Sequence, residues 1–306
     1  MIGPLSSAAQ RAAPGNARAK ASYRGASTEA IRHHYDISND FYGLWLDSTL
    51  TYSCGLWDND VQTLRRAQEQ KLDYLVKACG ARGAERVLDV GCGWGGLLRR
   101  LLDLNDVAYV VGLTLSEAQA RSIASWADER CEVRLENWAD HAPETGYDAI
   151  LSIEAFEHFA DHGMTRAARI GSYRHFFERC HEWLGPGGRL AVQTSTKGSN
   201  VRLDRQTVRD LIFIADRIFP ESELPWPSEI LEGGERRFEV VSIRNDPEDY
   251  VRTLEEWLRR LLKNRARAEE MLGEVVVADY ERYLLAASRA FAERHLGLMR
   301  IVFERV

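Results

Sequence analysis

Residues 85–104 read ERVLDVGCGWGGLLRRLLDL. A short apolar run, Val87 to Val90, is interrupted only by Asp89. It meets a turn holding Gly91, Gly93, Gly95 and Gly96, and a leucine-rich helical pattern follows. This strand–glycine turn–helix unit opens a parallel α/β fold. Glycines there permit positive φ and close approach of a ligand to the backbone, and the helix N-terminus behind them favours negative charge. Such a turn serves several nucleotide ligands, so by itself it does not choose between NAD, FAD and S-adenosylmethionine.

Strands and helices alternate outward from the turn. VAYVVGL, CEVRLEN, YDAILSI and GGRLAVQTS read as further strands, and SEAQARSIASWADE as a helix. The stretch 171–184 has helical periodicity and meets GPGG, read as a stop. Residues 199–235, punctuated by proline and glycine, interrupt the alternation as an insertion. FEVVSIRND, a long helix over 248–272, another near 275–295 and a last strand, MRIVFERV, complete the chain. Such alternation builds a doubly wound parallel sheet. The expected parts are an N-terminal arm (1–28), a helical cap (29–80), a ligand-binding core (81–198), a lid (199–235) and completion of the core (236–306).

The chain has 306 residues, with 40 basic and 46 acidic side chains, a net charge of −6. That balance disfavours nucleic acid as a partner. No apolar run reaches the roughly 18–20 residues of a membrane span, so no integral membrane segment is expected. The absence of a signal-type stretch predicts a cytoplasmic protein. Cys54, Cys79, Cys92, Cys131 and Cys180 lack metal-binding spacing, so neither a disulfide framework nor a metal site is expected. The arm is basic, with Arg11, Arg18, Lys20 and Arg24, and Tyr23 is its one aromatic residue. It is read either as a tail or as a segment ordering over an active site or on a neighbouring subunit, which makes a homo-oligomer the expected state.

Past the glycine turn, dinucleotide folds place an acid about 20 residues on to hold a ribose. Here the second strand runs into Gly112-Leu113-Thr114-Leu115-Ser116, and the next acid, Glu117, already lies in a helix. Seven strings then occur in order: HHYDISNDFYGLWLD, TYSCGLW, LDVGCGWGG, VVGLTLSEAQ, SIEAFEHF, FPESELP and DYVRTLEEW. Together they resemble the cyclopropane-fatty-acid synthase family of S-adenosylmethionine-dependent methyltransferases, which includes mycolic acid cyclopropane synthases. The resemblance covers roughly residues 29–300.

It implies a Rossmann-like class I methyltransferase fold, with a seven-stranded, mostly parallel sheet, a helical cap and a helical lid. It also implies S-adenosylmethionine as methyl donor, leaving as S-adenosylhomocysteine. Carried over by motif, the donor contacts are Tyr52 and Ser53, Asp89, Gly91 and Gly93, Thr114, Leu115 and Gln119, Trp138 and Ile153. In the family a bicarbonate ion beside the reacting carbon acts as base, and its ligands match Cys54, Glu157 and Tyr250. Two positions depart: a family histidine is Gln193 here, and the glycine of S-I-G-A-F-E-H-F is Glu154. A carboxylate at that point fills the anion's space. Two like charges at roughly 4 Å cost about 4 kcal/mol at a surface-like dielectric, so no bound bicarbonate and no cyclopropane ring are expected.

Glu154, Glu157 and His158 also resemble the S-I-E-M-F-E-H of plant alkaloid N-methyltransferases. The catalytic candidates are therefore Glu157, Glu154, His158, Tyr250 and Cys54. Those for the acceptor are Tyr23, Tyr35, Trp57, Phe156, Gln193 and Trp226, with Tyr52 shared. The leading expectation is methylation of a double bond in a lipophilic, prenylated small molecule through a carbocation, resembling actinomycete enzymes of the teleocidin type. The alternatives are N-methylation of an amine, and methylation or cyclopropanation of an unsaturated acyl chain docked on the basic run at 258–268. Arg202, Arg205 and Arg209 are candidates for a diphosphate. A scaffold without chemistry has no need of Cys54, Glu157 and Tyr250 together.

Overall fold

The computed structural model describes residues 25–27, 29, 38–58 and 60–306. The elements run in chain order as α1 (Asn39–Gly43), α2 (Leu64–Ala78), β1 (Arg86–Val90), α3 (Gly96–Leu104), β2 (Tyr109–Thr114), α4 (Glu117–Ala124), β3 (Cys131–Leu135) and β4 (Tyr147–Ile153). After a single 3-10 turn, Phe156–His158, come α5 (Arg166–Trp183), β5 (Leu184–Lys197), α6 (Arg205–Phe213) and α7 (Pro227–Gly234). The chain ends with β6 (Phe238–Asn245), α8 (Pro247–Lys263), α9 (Arg265–Leu272), α10 (Glu274–Ala292) and β7 (Leu296–Arg305).

The seven strands lie in the order β3-β2-β1-β4-β5-β7-β6. β1 pairs in parallel with β2 and β4, and β7 runs antiparallel to both β5 and β6. From β1 the chain builds outward through β2 and β3, then returns to place β4 on the other flank of β1. The crevice at that reversal, beyond the carboxyl ends of β1 and β4, is where open α/β sheets bind ligands.

One apolar cluster joins α2 and α3 to one face of the sheet, and a second joins α5 and α7 to the other. A third unites the cap with α8 and α10, and its centre is aromatic: Phe41, Tyr42, Trp45, Trp257 and Tyr280 are all buried. The aromatic density of the cap is thus mainly core. α2 starts where the Thr63 hydroxyl accepts the Arg66 N–H, a side-chain cap. At Gly95, the N-cap of α3, φ is +84°, and a Cβ would lie 2.3 Å from the Trp126 ring. Only glycine fits there.

The helix read as stopping at GPGG ends at Trp183, but the strand read from Gly187 begins earlier: residues 185–188 already belong to β5, whose pairing with β4 shifts register there. The expected single helix over 248–272 breaks at Asn264, whose side-chain amide donates to the Leu44 carbonyl and whose non-helical backbone parts α8 from α9. Among the described residues no helix is long and apolar enough to cross a membrane.

Candidate active site

A cavity of about 150 Å³ occupies the crevice beyond β1, β2 and β4. All ten residues expected to hold the methyl donor line it: Tyr52, Ser53, Asp89, Gly91, Gly93, Thr114, Leu115, Gln119, Trp138 and Ile153. The Thr114 hydroxyl donates to Gln119 Oε1 at 2.7 Å, fixing the loop after β2. Burial raises the Asp89 carboxyl to about 7, and its Oδ1 has no hydrogen-bond partner. A cationic ligand bound beside it would satisfy that oxygen and favour its ionised form. A glycine cradle with an unsatisfied buried carboxylate suits S-adenosylmethionine, which carries both an ammonium and a sulfonium.

Lys71, which the sequence reading missed, also lines this cavity. It is fully buried, donates to Ser53 Oγ at 2.6 Å, and is lowered to about 8 by burial. Its signal was positional: it follows Leu64 and Ala67 at i+7 and i+4, on the apolar face of α2. The arm also contributes. The Ala26 N–H donates to the His158 carbonyl at 2.7 Å, so Gly25 and Ala26 form part of the wall.

Glu154 stands at the centre of the site with φ +53°, a left-handed conformation that side chains rarely adopt. Three donors converge on its carboxylate. The Cys54 backbone N–H and the Gln193 side-chain amide each reach Oε1 at 2.8 Å, and the Tyr250 hydroxyl reaches Oε2 at 2.5 Å. Gln193 also donates to the Cys54 carbonyl at 3.1 Å. Its amide cannot flip, because the buried Arg300 donates to its oxygen at 2.8 Å and has no acceptor to offer. Arg300 is anchored in turn by Asp246 at 2.5 Å and Asp249 at 3.3 Å.

Glu154 therefore sits among groups that the resemblance assigns to an external anion. One role is specified and one corrected in consequence. Cys54 acts through its backbone: its thiol is buried, donates to the Gly55 carbonyl and is raised well above the usual thiol range by burial. Gln193 orients Glu154 and does not line the acceptor cavity.

Glu157 accepts the Ser195 N–H at 2.5 Å, while its Oε2 is buried without a partner. Burial, and then the nearby Glu154, raise it to about 8. His158 is lowered to about 4 by burial, and its Nδ1 lies 2.8 Å from Ser222 Oγ. The Glu157 shift has a stability consequence. Between the ordinary carboxyl value of 4.5 and about 8, the folded chain holds a proton that the unfolded chain has released. This contribution to stability therefore declines as pH rises through that window. Glu157→Gln is expected to remove the decline, melting higher than wild type at pH 8.5 and close to it at pH 4.5, by about 1–4 kcal/mol at the alkaline end. Thermal melts at the two pH values check this.

A second cavity, of about 500 Å³, opens beside the first and shares Tyr52, Glu154 and His158 with it. Its volume falls within the usual range for a small-molecule site. Glu157, Tyr250, Trp226, Phe219, Tyr283 and Phe291 contribute to its wall. Tyr250 packs on Phe291 with ring centroids 4.5 Å apart.

Two aromatic candidates are corrected. Trp57 lies in the core, its indole donating to Thr253 at 2.9 Å and its face covered by Arg252. Phe156 is fully buried behind the wall, stacked on Tyr173 at 4.6 Å. Tyr23 and Tyr35 lie outside the described residues. Arg202, Arg205 and Arg209 are exposed and line neither cavity, which removes the basis for a diphosphate site within the cavities. In the 258–268 run, Arg259 and Arg260 pair with Glu256, Arg265 with Glu269 and Arg267 with Glu270, leaving little free charge for docking.

The geometry agrees with relationships to known proteins. Residues 23–301 match the family described as mycolic acid cyclopropane synthetase. Hydroxymycolate synthase MmaA4 of Mycobacterium tuberculosis is 34% identical over 288 residues, covering 90% of this chain and 92% of that protein. The cyclopropane synthase MmaA2 structure from Mycobacterium tuberculosis superposes with a TM-score of 0.84 at 31% identity, covering 92% of this chain and 99% of that one. The mycolic acid cyclopropane synthase CmaA1, complexed with SAH and CTAB, gives 0.83 at 30% identity with the same coverage.

Proposed function

The chain belongs to the mycolic acid cyclopropane synthetase family of S-adenosylmethionine-dependent methyltransferases, and from that premise we propose that it methylates an isolated carbon–carbon double bond in a lipophilic acceptor, with the carboxylate of Glu154 as its built-in anion. The observation that carries this reading is the convergence of Cys54 N–H, Gln193 and Tyr250 on Glu154 where the donor and acceptor cavities meet. An unsaturated acyl chain is the favoured acceptor, because the relatives' names point to mycolates and the larger cavity is walled mainly by apolar side chains. A prenylated acceptor presents the same kind of double bond to the same residues.

Bound S-adenosylmethionine supplies a methyl group on a positively charged sulfur. The residues supply the rest. The walls hold the double bond in line, and such positioning is a large part of catalysis in a displacement. As the alkene carbon takes the methyl, positive charge develops on its neighbour. Aromatic faces stabilise such a charge by about 0.5–2 kcal/mol per well-placed ring, and Tyr52, Tyr250, Tyr283 and Phe291 are in the wall. The Glu154 carboxylate, its lone pairs already engaged by three donors, opposes the charge from a fixed position. Glu157, whose side chain forms part of the same cavity wall, accepts the proton that ends the reaction in its ionised form.

An amine acceptor fits less well. His158, at about 4, is too weak a base to take a proton from an ammonium group. Turnover with trideuteromethyl-labelled donor on unsaturated phospholipids, prenylated indoles and amines tests the reading. The expected product carries every deuterium of the transferred methyl on carbon. Label on nitrogen overturns alkene chemistry, and loss of one deuterium means that the terminating proton came from the transferred methyl, by ring closure or formation of a methylene group.

A further inference from the structure

The lid carries a face that neither cavity uses. α6 turns Thr207, Asp210 and Phe213 inward, and Asp210 pairs with Arg282 and Arg289 of α10. Its outward positions, Arg205, Val208, Arg209 and Ile212, follow i, i+3, i+4 and i+7 and form one stripe. Val208 and Ile212 are 38% and 54% exposed. Just before the helix, Val201 and Leu203 are 72% and 47% exposed and line the mouth of the larger cavity. Arg202, Arg205 and Arg209 are exposed, and none has an ion-pair partner among the described residues. They contrast with the arginines of the 258–268 run, which are met by glutamates.

We propose that this face docks on an anionic lipid bilayer, setting the mouth of the acceptor cavity against the surface so that a lipid chain enters without crossing water. A chain of net charge −6 is repelled by such a surface as a whole, so attraction has to come from a local patch of opposite sign. Arg202, Arg205 and Arg209, exposed and without an ion-pair partner among the described residues, supply it. The aliphatic side chains between them suit the boundary of headgroups and acyl chains, where interfacial helices combine apolar and basic residues. The exposed aliphatic side chains, Val201, Leu203, Val208 and Ile212, have no acidic or polar complement to offer a charged carrier protein but match the acyl boundary of a bilayer. The purpose of the docking rests on the reading of a lipophilic acceptor, but its detection does not.

The test is sedimentation of the full chain with vesicles of phosphatidylcholine alone or mixed with phosphatidylglycerol. Binding is expected only to the anionic vesicles and weakens with salt. Each arginine contributes about fivefold, so Arg202→Gln, Arg205→Gln and Arg209→Gln together lower binding about a hundredfold. Val208→Ser with Ile212→Ser also weakens it. The triple variant is expected to keep its turnover on detergent-dispersed acceptor and lose it on vesicle-held acceptor. Equal sedimentation with both vesicle types, binding unchanged in the triple variant, or capture only by an acidic carrier protein overturns the proposal. A chain that binds anionic vesicles yet methylates no lipid refutes the proposed acceptor and leaves the docking intact.

Discussion

Glu154→Gly is expected to lower turnover by about two to three orders of magnitude, the usual range for a preorganised electrostatic group, and bicarbonate or formate should restore a substantial part of it. The variant removes a carboxylate but leaves its surroundings, since Cys54 N–H, Gln193 and Tyr250 are held by other contacts. Glycine is also the residue best suited to φ +53°, so the fold gains local freedom from strain. A small anion with two oxygens can then occupy the vacated ligand set. Glu154→Gln keeps the shape, gives up the charge and fills the space, so it should be inactive and beyond rescue. Steady-state turnover with and without added anion separates these outcomes. Full activity in the glycine variant refutes the built-in anion, and a folded, inactive variant that no anion revives means that Glu154 does more than supply charge.

Why Glu154 was legible in the sequence, and its supports were not, has a physical explanation. Glu154 is legible because a carboxylate stands where the resembling family has glycine, and a charge at such a point carries an electrostatic cost whatever surrounds it. The glycine turn and the ten donor-cavity residues were legible for a similar reason: backbone demands and motif order leave marks on residue identity. The role of Cys54 left none, because a backbone N–H is the same in every residue but proline. Arg300 read as one alternating position of a terminal strand, and only the antiparallel pairing of β7 with β5, Gln193 opposite Arg300, brings it to the site. Trp57 and Phe156 have the right chemistry for a cavity wall but lie behind it, since aromatic type does not say which side of a wall a ring occupies. The break at Asn264 and the extension of β5 through GPGG depend on tertiary contacts that override local propensity.

Gly91→Ala is expected to weaken S-adenosylhomocysteine binding at least about tenfold, a loss of about 1.4 kcal/mol, and to lower turnover further. Gly91 has φ +83°, and a Cβ built there lies 2.4 Å from the Cβ of Ala155. The left-handed conformation alone costs an L-residue roughly 1–2 kcal/mol; the clash adds displacement of either the turn or Ala155. Because Ala155 follows Glu154, displacement on that side carries the carboxylate away from Tyr250 and Gln193. Gly93→Ala is the control, since its φ is +54° but nothing lies within 4 Å of its Cβ. It should cost only the backbone term. Ala155→Gly removes the opposing methyl, so the double variant Gly91→Ala/Ala155→Gly should recover the part of the loss due to the clash and keep the part due to φ. Calorimetric titration of S-adenosylhomocysteine into the single and double variants gives that coupling directly. Additive losses would mean that the two residues do not press on each other, and that the glycine turn and the Glu154 carboxylate are positioned independently.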